Sequence, residues 1–281
     1  MELAAAALET FVVSGAGVIV MDDGDGGNRL TPNLLDSLIN AVEMYVDNPD
    51  VRFILLRSRG EHFCHGMDLE AYLANSDGGA FERGAASYAA LLLALNDCPK
   101  TTLAILEGSA KAGGVGLASA CDIVIASEEV VFELSEAYWG LIPANVIPYL
   151  LTRRISLKRA AYLVQTAAAV KARDALTLGL VEEVYPKIEM EGAVRRIGKR
   201  LSRISPTATP QYKAFVADIQ DLPLAERGQI AVRRLVQIAS NPRIRDSIHI
   251  FLQGNTPDWF RSFKPTRALT DSGERGGVCA E

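Results

Sequence analysis

The chain has 281 residues, 49% hydrophobic and 22% charged, with 29 Lys and Arg against 34 Asp and Glu for a net charge of −5. At roughly one domain per ~150 residues this is one large domain or two smaller ones, and a chain of this size buries about three quarters of its unfolded surface without a disulfide or a metal. The composition argues against disorder, and the acidic balance leaves no footprint for sequence-independent nucleic-acid binding.

In chain order, Phe11–Val13 and Val18–Met21 are two β-rich runs split by Ser14-Gly15-Ala16-Gly17, which predicts a hairpin. Asp22–Asn28 is a turn-rich loop. Thr31-Pro32 then starts a helix, with a cap residue followed by Pro at the first helical position. Leu34, Leu35, Leu38, Ile39, Val42 and Val46 fall on one face of it, and Asn48-Pro49 ends it. Val51–Leu56 is expected to be a buried strand, Arg57–Gly66 a loop, and Asp68–Leu73 helical. The polar, Gly-rich Asn75–Gly79 is expected to be a mobile loop. Ser87–Leu95 predicts a helix stopped by Cys98-Pro99, and Thr101–Leu106 another strand. Gly108–Gly116 is glycine-rich and passes into an apolar helix at Val115–Ala120. Ile123–Ala126 and Val130–Leu134 are two more strands. From about Asn145 to Gln253 the pattern is mostly helical, with one short strand expected at Val181–Val184. Strands alternating with helices predict an α/β core carrying a helical C-terminal appendage. Residues 1–200 are expected to form the core, 201–266 the helical region and 267–281 a disordered tail.

The four cysteines, Cys64, Cys98, Cys121 and Cys279, show neither C-x-x-C nor zinc-finger spacing, so reduced thiols in a cytoplasmic protein are expected and no metal site. Met1–Leu8 lacks a basic n-region, so no signal peptide is read. The apolar stretch Thr101–Ser127 is broken by Glu107, Lys111 and Asp122, so no membrane span is expected.

Three segments could carry chemistry. Phe63-Cys64-His65-Gly66-Met67-Asp68-Leu69 is a tight turn after a strand, and Ala112-Gly113-Gly114-Val115-Gly116 opens a helix after another. A helix N-terminus exposes backbone N–H groups, and glycines let a ligand reach the main chain. Two such turns could aim two N–H groups at one oxygen, an oxyanion hole, although a lone glycine cluster is more often simple loop geometry. Neither turn matches a phosphate-binding or dinucleotide motif, and no nucleophile elbow is present. In the third segment, Val131–Pro143, Glu136 lies between an apolar strand and an aromatic stretch. Desolvated there, its carboxyl could act as a general acid or base; solvated at a strand end, it would do nothing.

These segments, in this order, resemble the crotonase (enoyl-CoA hydratase/isomerase) superfamily. The cues are the F-C-x-G-x-D-L turn, with Gly113–Ile123, Phe132–Pro143 and Ala175–Val181. The resemblance covers about Phe11 to Pro186 well and the helical C-terminus loosely. It implies a spiral of ββα units with a C-terminal helical region used for trimerisation, and a homotrimer or hexamer. It implies acyl thioesters of coenzyme A or of carrier-protein phosphopantetheine as substrates, with no cofactor of the protein's own. Carried onto this chain, the oxyanion donors are the N–H groups of Met67 and Gly113. Glu136 is the catalytic carboxylate, and His65, Met67, Asp68, Leu69, Glu70 and Gly113 line the thioester path.

One departure is informative. Hydratases of the family carry two glutamates, and the first maps onto Gly116, which cannot transfer a proton. A single carboxylate still suffices for an enoyl isomerisation or for a dehydration in which it takes the α-proton and returns it to the leaving hydroxyl. Trp139–Leu150 followed by Arg153-Arg154-Ile155 looks like the dehydratases of polyketide β-branching cassettes, which implies conversion of a 3-hydroxy-3-methylglutaryl group on an acyl carrier protein to 3-methylglutaconyl. The alternatives are the decarboxylase that follows it, an isomerase, a simple hydratase, a thioester hydrolase and a non-catalytic scaffold. His65 could meet a substrate carboxylate or face solvent, and Asp68 is expected to cap a helix. Lys111, Arg153 and Arg154 are lesser candidates for a glutaryl carboxylate. Tyr138 and Trp139 are expected in the pocket wall, His249 in a structural role, and Cys64 and Cys121 as buried small hydrophobes.

Overall fold

A computed structural model describes residues 8–70, 79–153 and 155–271. The opening hairpin is present, with β1 (Leu8–Val13) and β2 (Ala16–Met21) antiparallel. Its two-residue turn has Ser14 at φ 51° and Gly15 at φ 84°, the pair of positive angles that matches the twist of a hairpin. Helix α1 (Pro32–Asp47) follows, and Thr31 caps it by accepting from the Leu34 N–H. Of the apolar face read from its sequence, Leu34, Leu35, Leu38 and Val42 are buried and Ile39 and Val46 half-buried, with Tyr45 buried beside them.

The chain then makes three similar passes. Each sends one strand into a large sheet and the next, after a short turn, into a small one. The pairs are β3 (Phe53–Ser58) with β4 (His62–Cys64), β5 (Thr101–Leu106) with β6 (Ser109–Lys111), and β7 (Ile123–Ser127) with β8 (Val131–Glu133). The helices α2 (Ala80–Asp97) and α3 (Gly113–Ala120) follow the first two pairs. The large sheet has the order β1-β2-β3-β5-β7-β10, where β10 is Glu183–Tyr185, and the small one has the order β4-β6-β8-β9, where β9 is Val170–Lys171. Because each pass lays its strands beside those of the pass before, the chain advances as a spiral, as the resemblance implies.

The inner strands β2, β3, β5 and β7 of the large sheet are buried on both faces, which suits the near-continuous apolar runs in its mostly parallel centre. Ile19, Ile54, Leu56, Ala104 and Leu106 face the main core with α1, α2 and α3. Val18, Phe53, Leu55, Leu103 and Ile105 face a second core, closed by Met190, Val194 and Ile197 of a helix at Met190–Leu201 together with Phe263 and Leu269. The expected fraying after Thr266 is therefore corrected for residues 267–271. Leu269 and Thr270 are fully buried, and Asp271 pairs with the buried Arg57 at 2.9 Å. Between these two layers of contact, helices at Ala208–Ile219, Leu224–Ala239 and Pro242–Leu252 stand off the core with many apolar side chains exposed.

Other expectations shift in their bounds. The helix expected at Ser87–Leu95 starts at Ala80, and the glycine-rich Gly108–Gly116 contains β6 and the first turn of α3. The expected loop after β3 likewise contains β4. The mobile loop expected at Asn75–Gly79 falls outside the described residues except for Gly79, which precedes α2. Among the described residues no helix is long and apolar enough to cross a membrane. Cys64, Cys98 and Cys121 are buried, and burial pushes the Cys64 thiol up to about 12.

Candidate active site

The small sheet explains how three segments far apart in sequence meet. Strands β4, β6 and β8 are parallel neighbours, so their C-terminal ends lie side by side. What leaves those ends is the 65–67 turn, the Ala112-Gly113 turn and the segment bearing Glu136. Adjacent strands are ~4.8 Å apart, so the outer two segments are separated by about 10 Å, the span of a small acyl group and its thioester.

The first turn is pinned by Leu30. The Leu30 N–H donates to the Gly66 carbonyl at 2.9 Å, and the Asp68 N–H donates to the Leu30 carbonyl at 3.4 Å. These bonds flank Met67, whose own N–H has no partner among the described residues. In the second turn the Ala112 N–H donates to the Glu133 carbonyl at 2.8 Å, while Gly113 opens α3 and its N–H has no partner among the described residues. Ala112 sits at φ 48°, ψ −120°, a conformation that costs a residue with a Cβ about 1–3 kcal/mol. The strain falls on the residue that sets the direction of the Gly113 N–H. The two turns are pressed together. A Cβ on Gly66, itself at φ 87°, would stand 3.0 Å from the Gly113 nitrogen, and one on Gly114 would stand 2.1 Å from the Cys64 carbonyl oxygen. Two unpartnered amides on touching loops, one at a helix N-terminus, form a site suited to a developing oxyanion.

Glu136 begins a short 3₁₀ turn, Glu136–Trp139, closed by Gly140 at φ 74°. Its Oε2 is buried with no hydrogen-bond partner, and burial raises the carboxyl above the usual glutamate range. A buried carboxylate oxygen without a donor is costly, and the cost is understandable where a substrate proton is to be received. Tyr138 and Trp139, expected in the pocket wall, are instead 65% and 73% exposed in the single chain. The turn is too short to bury more than one of its faces.

One residue escaped the sequence reading. Tyr88 of α2 is fully enclosed, and its hydroxyl donates to the Gly113 carbonyl at 2.5 Å. Burial first, with Cys64 and Glu136 alongside it, holds its phenol well above 10, so it stays neutral. Its signal was a single polar tip in the inner stripe Gly84, Tyr88, Leu91, Leu92 and Leu95 of an otherwise apolar helix face.

The remaining candidates are less engaged. His65 stacks on His62 with ring centroids 4.2 Å apart, and burial, followed by the charges of His62 and Lys111, lowers its pKa. Lys111 lies 3.7 Å from Glu133. Leu69 and Glu70 are exposed at the edge of the described residues, so the helix that Asp68 was expected to cap lies mostly outside them. The side chains of Arg153 and Arg154 also lie outside the described set. His249 is exposed on the helix Pro242–Leu252 rather than packed. Among the described residues no cluster of His, Cys, Asp and Glu could hold a metal ion.

Comparison with known proteins bears on the family and the fold. The family described as Enoyl-CoA hydratase/isomerase matches residues 13–262. An enoyl-CoA hydratase of Alternaria alternata is 34% identical over 209 residues, 74% of this chain and 68% of that one. A peroxisomal Δ(3,5)-Δ(2,4)-dienoyl-CoA isomerase of Arabidopsis thaliana is 29% identical over 201 residues, 67% of this chain and 72% of that one. The crystal structure of an enoyl-CoA hydratase from Shewanella pealeana ATCC 700345 superposes with a TM-score of 0.84 at 26% identity, covering 90% of this chain and 96% of that one.

Proposed function

Since this chain belongs to the enoyl-CoA hydratase/isomerase family, we propose that it is a lyase that dehydrates a branched 3-hydroxyacyl thioester, namely 3-hydroxy-3-methylglutaryl on an acyl carrier protein, to 3-methylglutaconyl. The observation that carries this is one buried carboxylate where the resemblance implies two. Glu136 offers one buried, unpartnered oxygen, and Gly116 offers nothing where a second carboxylate would stand.

In this reading the thioester carbonyl oxygen accepts hydrogen bonds from the Met67 and Gly113 N–H groups, which acidifies the α-carbon. Glu136 takes the α-proton and the electrons move into the oxyanion as an enolate. The enolate then re-forms the carbonyl, the α–β double bond closes, and the β C–O bond breaks. The proton held by Glu136 goes to the departing oxygen, so one water leaves and Glu136 returns to its carboxylate form. A tertiary β-carbon eases that departure, which is why one carboxylate suffices. His65, Asp68, Leu69 and Glu70 border the path of the pantetheine arm. A homotrimer or hexamer built through the helices beyond residue 207 and a cytoplasmic location belong to the same reading. The exposed apolar side chains of those helices support the oligomer.

The test is mass spectrometry of a carrier protein loaded with 3-hydroxy-3-methylglutaryl. Loss of water alone is expected, and Glu136→Gln, which keeps shape but removes basicity, should slow it at least ~10²-fold. Loss of carbon dioxide from supplied 3-methylglutaconyl carrier would instead make the protein the decarboxylase. Rapid isomerisation of 3-enoyl thioesters with no action on the branched substrate would make it an isomerase.

A further inference from the structure

Position 116 lacks a carboxylate, and the space a side chain there would need is already taken. A Cβ built on Gly116 would lie 2.3 Å from the Tyr88 hydroxyl oxygen and 2.8 Å from Val146 Cγ2. The first approach is far inside van der Waals contact, and Tyr88 cannot readily retreat. It is 2% exposed, its hydroxyl is bonded to the Gly113 carbonyl, and its helix is tied to the loop beyond Glu136, where the Asn145 side-chain amide donates to the Ala85 carbonyl at 2.9 Å. Val146, one residue after that tie, is also 2% exposed. The phenol therefore has two attachments at once. It holds the helix whose first N–H is an oxyanion donor, and it seals the helix position from which a second carboxylate would reach the substrate.

We propose that Tyr88 is a specificity-determining positioning residue: its hydroxyl plugs the position-116 corner of the thioester site, so that no second carboxylate and no water activated by one can act on the β-carbon. The inference rests on the reading of Glu136 as the working carboxylate. Its content is that the site is closed to hydration of straight-chain enoyl thioesters by Tyr88 as well as by the absence of a glutamate. Neutrality fits the role, because burial keeps the phenol protonated and it neither repels Glu136 nor competes with it for protons.

The experiment compares the native protein, Gly116→Glu, Tyr88→Ala and the double variant on two substrates, crotonyl-CoA for hydration and carrier-bound 3-hydroxy-3-methylglutaryl for dehydration. Expected is no gain in crotonyl-CoA hydration from Gly116→Glu alone, and a gain of at least ~10-fold in kcat when Tyr88→Ala is added, a modest share of what a second acid–base group supplies. An equal gain from Gly116→Glu with Tyr88 in place would overturn the proposal while leaving the single-carboxylate dehydratase intact. A folded double variant with no gain would overturn it too. Native protein that hydrates crotonyl-CoA as fast as it acts on the branched substrate would overturn the dehydratase reading and this proposal together. Should the double variant fail to fold, thermal melting of Gly116→Ala with and without Tyr88→Phe keeps the question open to refutation. Removing the phenolic oxygen should more than halve the loss in melting temperature caused by the added methyl, and equal losses in both backgrounds would overturn the plug.

Discussion

Burial holds the Glu136 carboxyl above the usual glutamate range, and an ordinary glutamate titrates near ~4.3. As a base Glu136 must be ionised, so kcat/KM should fall as pH drops through the raised value, at a higher pH than an ordinary glutamate would give. A limb at the ordinary position would remove Glu136 from the role. The same shift acts on stability. Folded Glu136 binds its proton more tightly than the unfolded chain does, so its contribution worsens as pH rises from the unfolded value through the folded one, and the full cost stands above both. Glu136→Gln should therefore melt higher than the native protein at pH 8, and the difference should close below about pH 4. Equal melting temperatures at pH 8 would contradict this. Glu136 stood out in the sequence only through the resemblance, since its place after an apolar strand fits a solvated strand-end carboxylate equally well. Tyr88 did not stand out, because what matters is its distance from Gly116 across the fold, and no local pattern carries that.

Elements do the positioning. The parallel order β4-β6-β8 places the ends of three strands in a row, and those strands are only three residues each. A three-residue strand shows little alternation: β4 lies in a stretch that reads as a loop and β6 in one that reads as glycine-rich, and β8 is legible only because Val130 and Leu134 extend its apolar run, whereas the six-residue strands β3 and β5 are nearly in place. The turns between strand and helix were legible as glycine clusters, but their contact with each other was not. That contact gives a prediction at this scale. Gly66→Ala would force a Cβ onto a backbone at φ 87°, 2.9 Å from the Ala112 Cβ. It should cost about 1–3 kcal/mol of stability and displace both amides, lowering kcat by about 10²-fold, the loss expected of one oxyanion donor. A folded Gly66→Ala protein with native kcat would show that the turns tolerate separation.

At the scale of the whole molecule, the helices beyond residue 207 leave Leu235, Phe251 and Leu252 between 67% and 74% exposed in the single chain, apolar side chains that a subunit contact would cover. Light scattering at micromolar concentration should report a trimer or a pair of trimers, and a monomer would leave that surface unexplained. The return of the chain after those helices was not legible, since Phe263 and Leu269 are isolated apolar residues in a polar stretch. It matters nonetheless. Breaking the buried pair of Arg57 with Asp271 by Asp271→Ala should cost about 3 kcal/mol, and replacing Arg57 with Met at the same time should recover most of it. A melting temperature unchanged by Asp271→Ala would show the pair to be idle.

The same pair sets an order of events during synthesis. Arg57 and Asp271 are 214 residues apart, and at ~5–20 residues per second the ribosome needs roughly 10–40 s to cover that interval. For that time the guanidinium has no Asp271, and the sheet face of Val18, Phe53 and Leu55 has no Leu269 against it. Until then that apolar face lacks Leu269 and Arg57 lacks its ion pair with Asp271, so the second core is closed only after the last described residues have emerged.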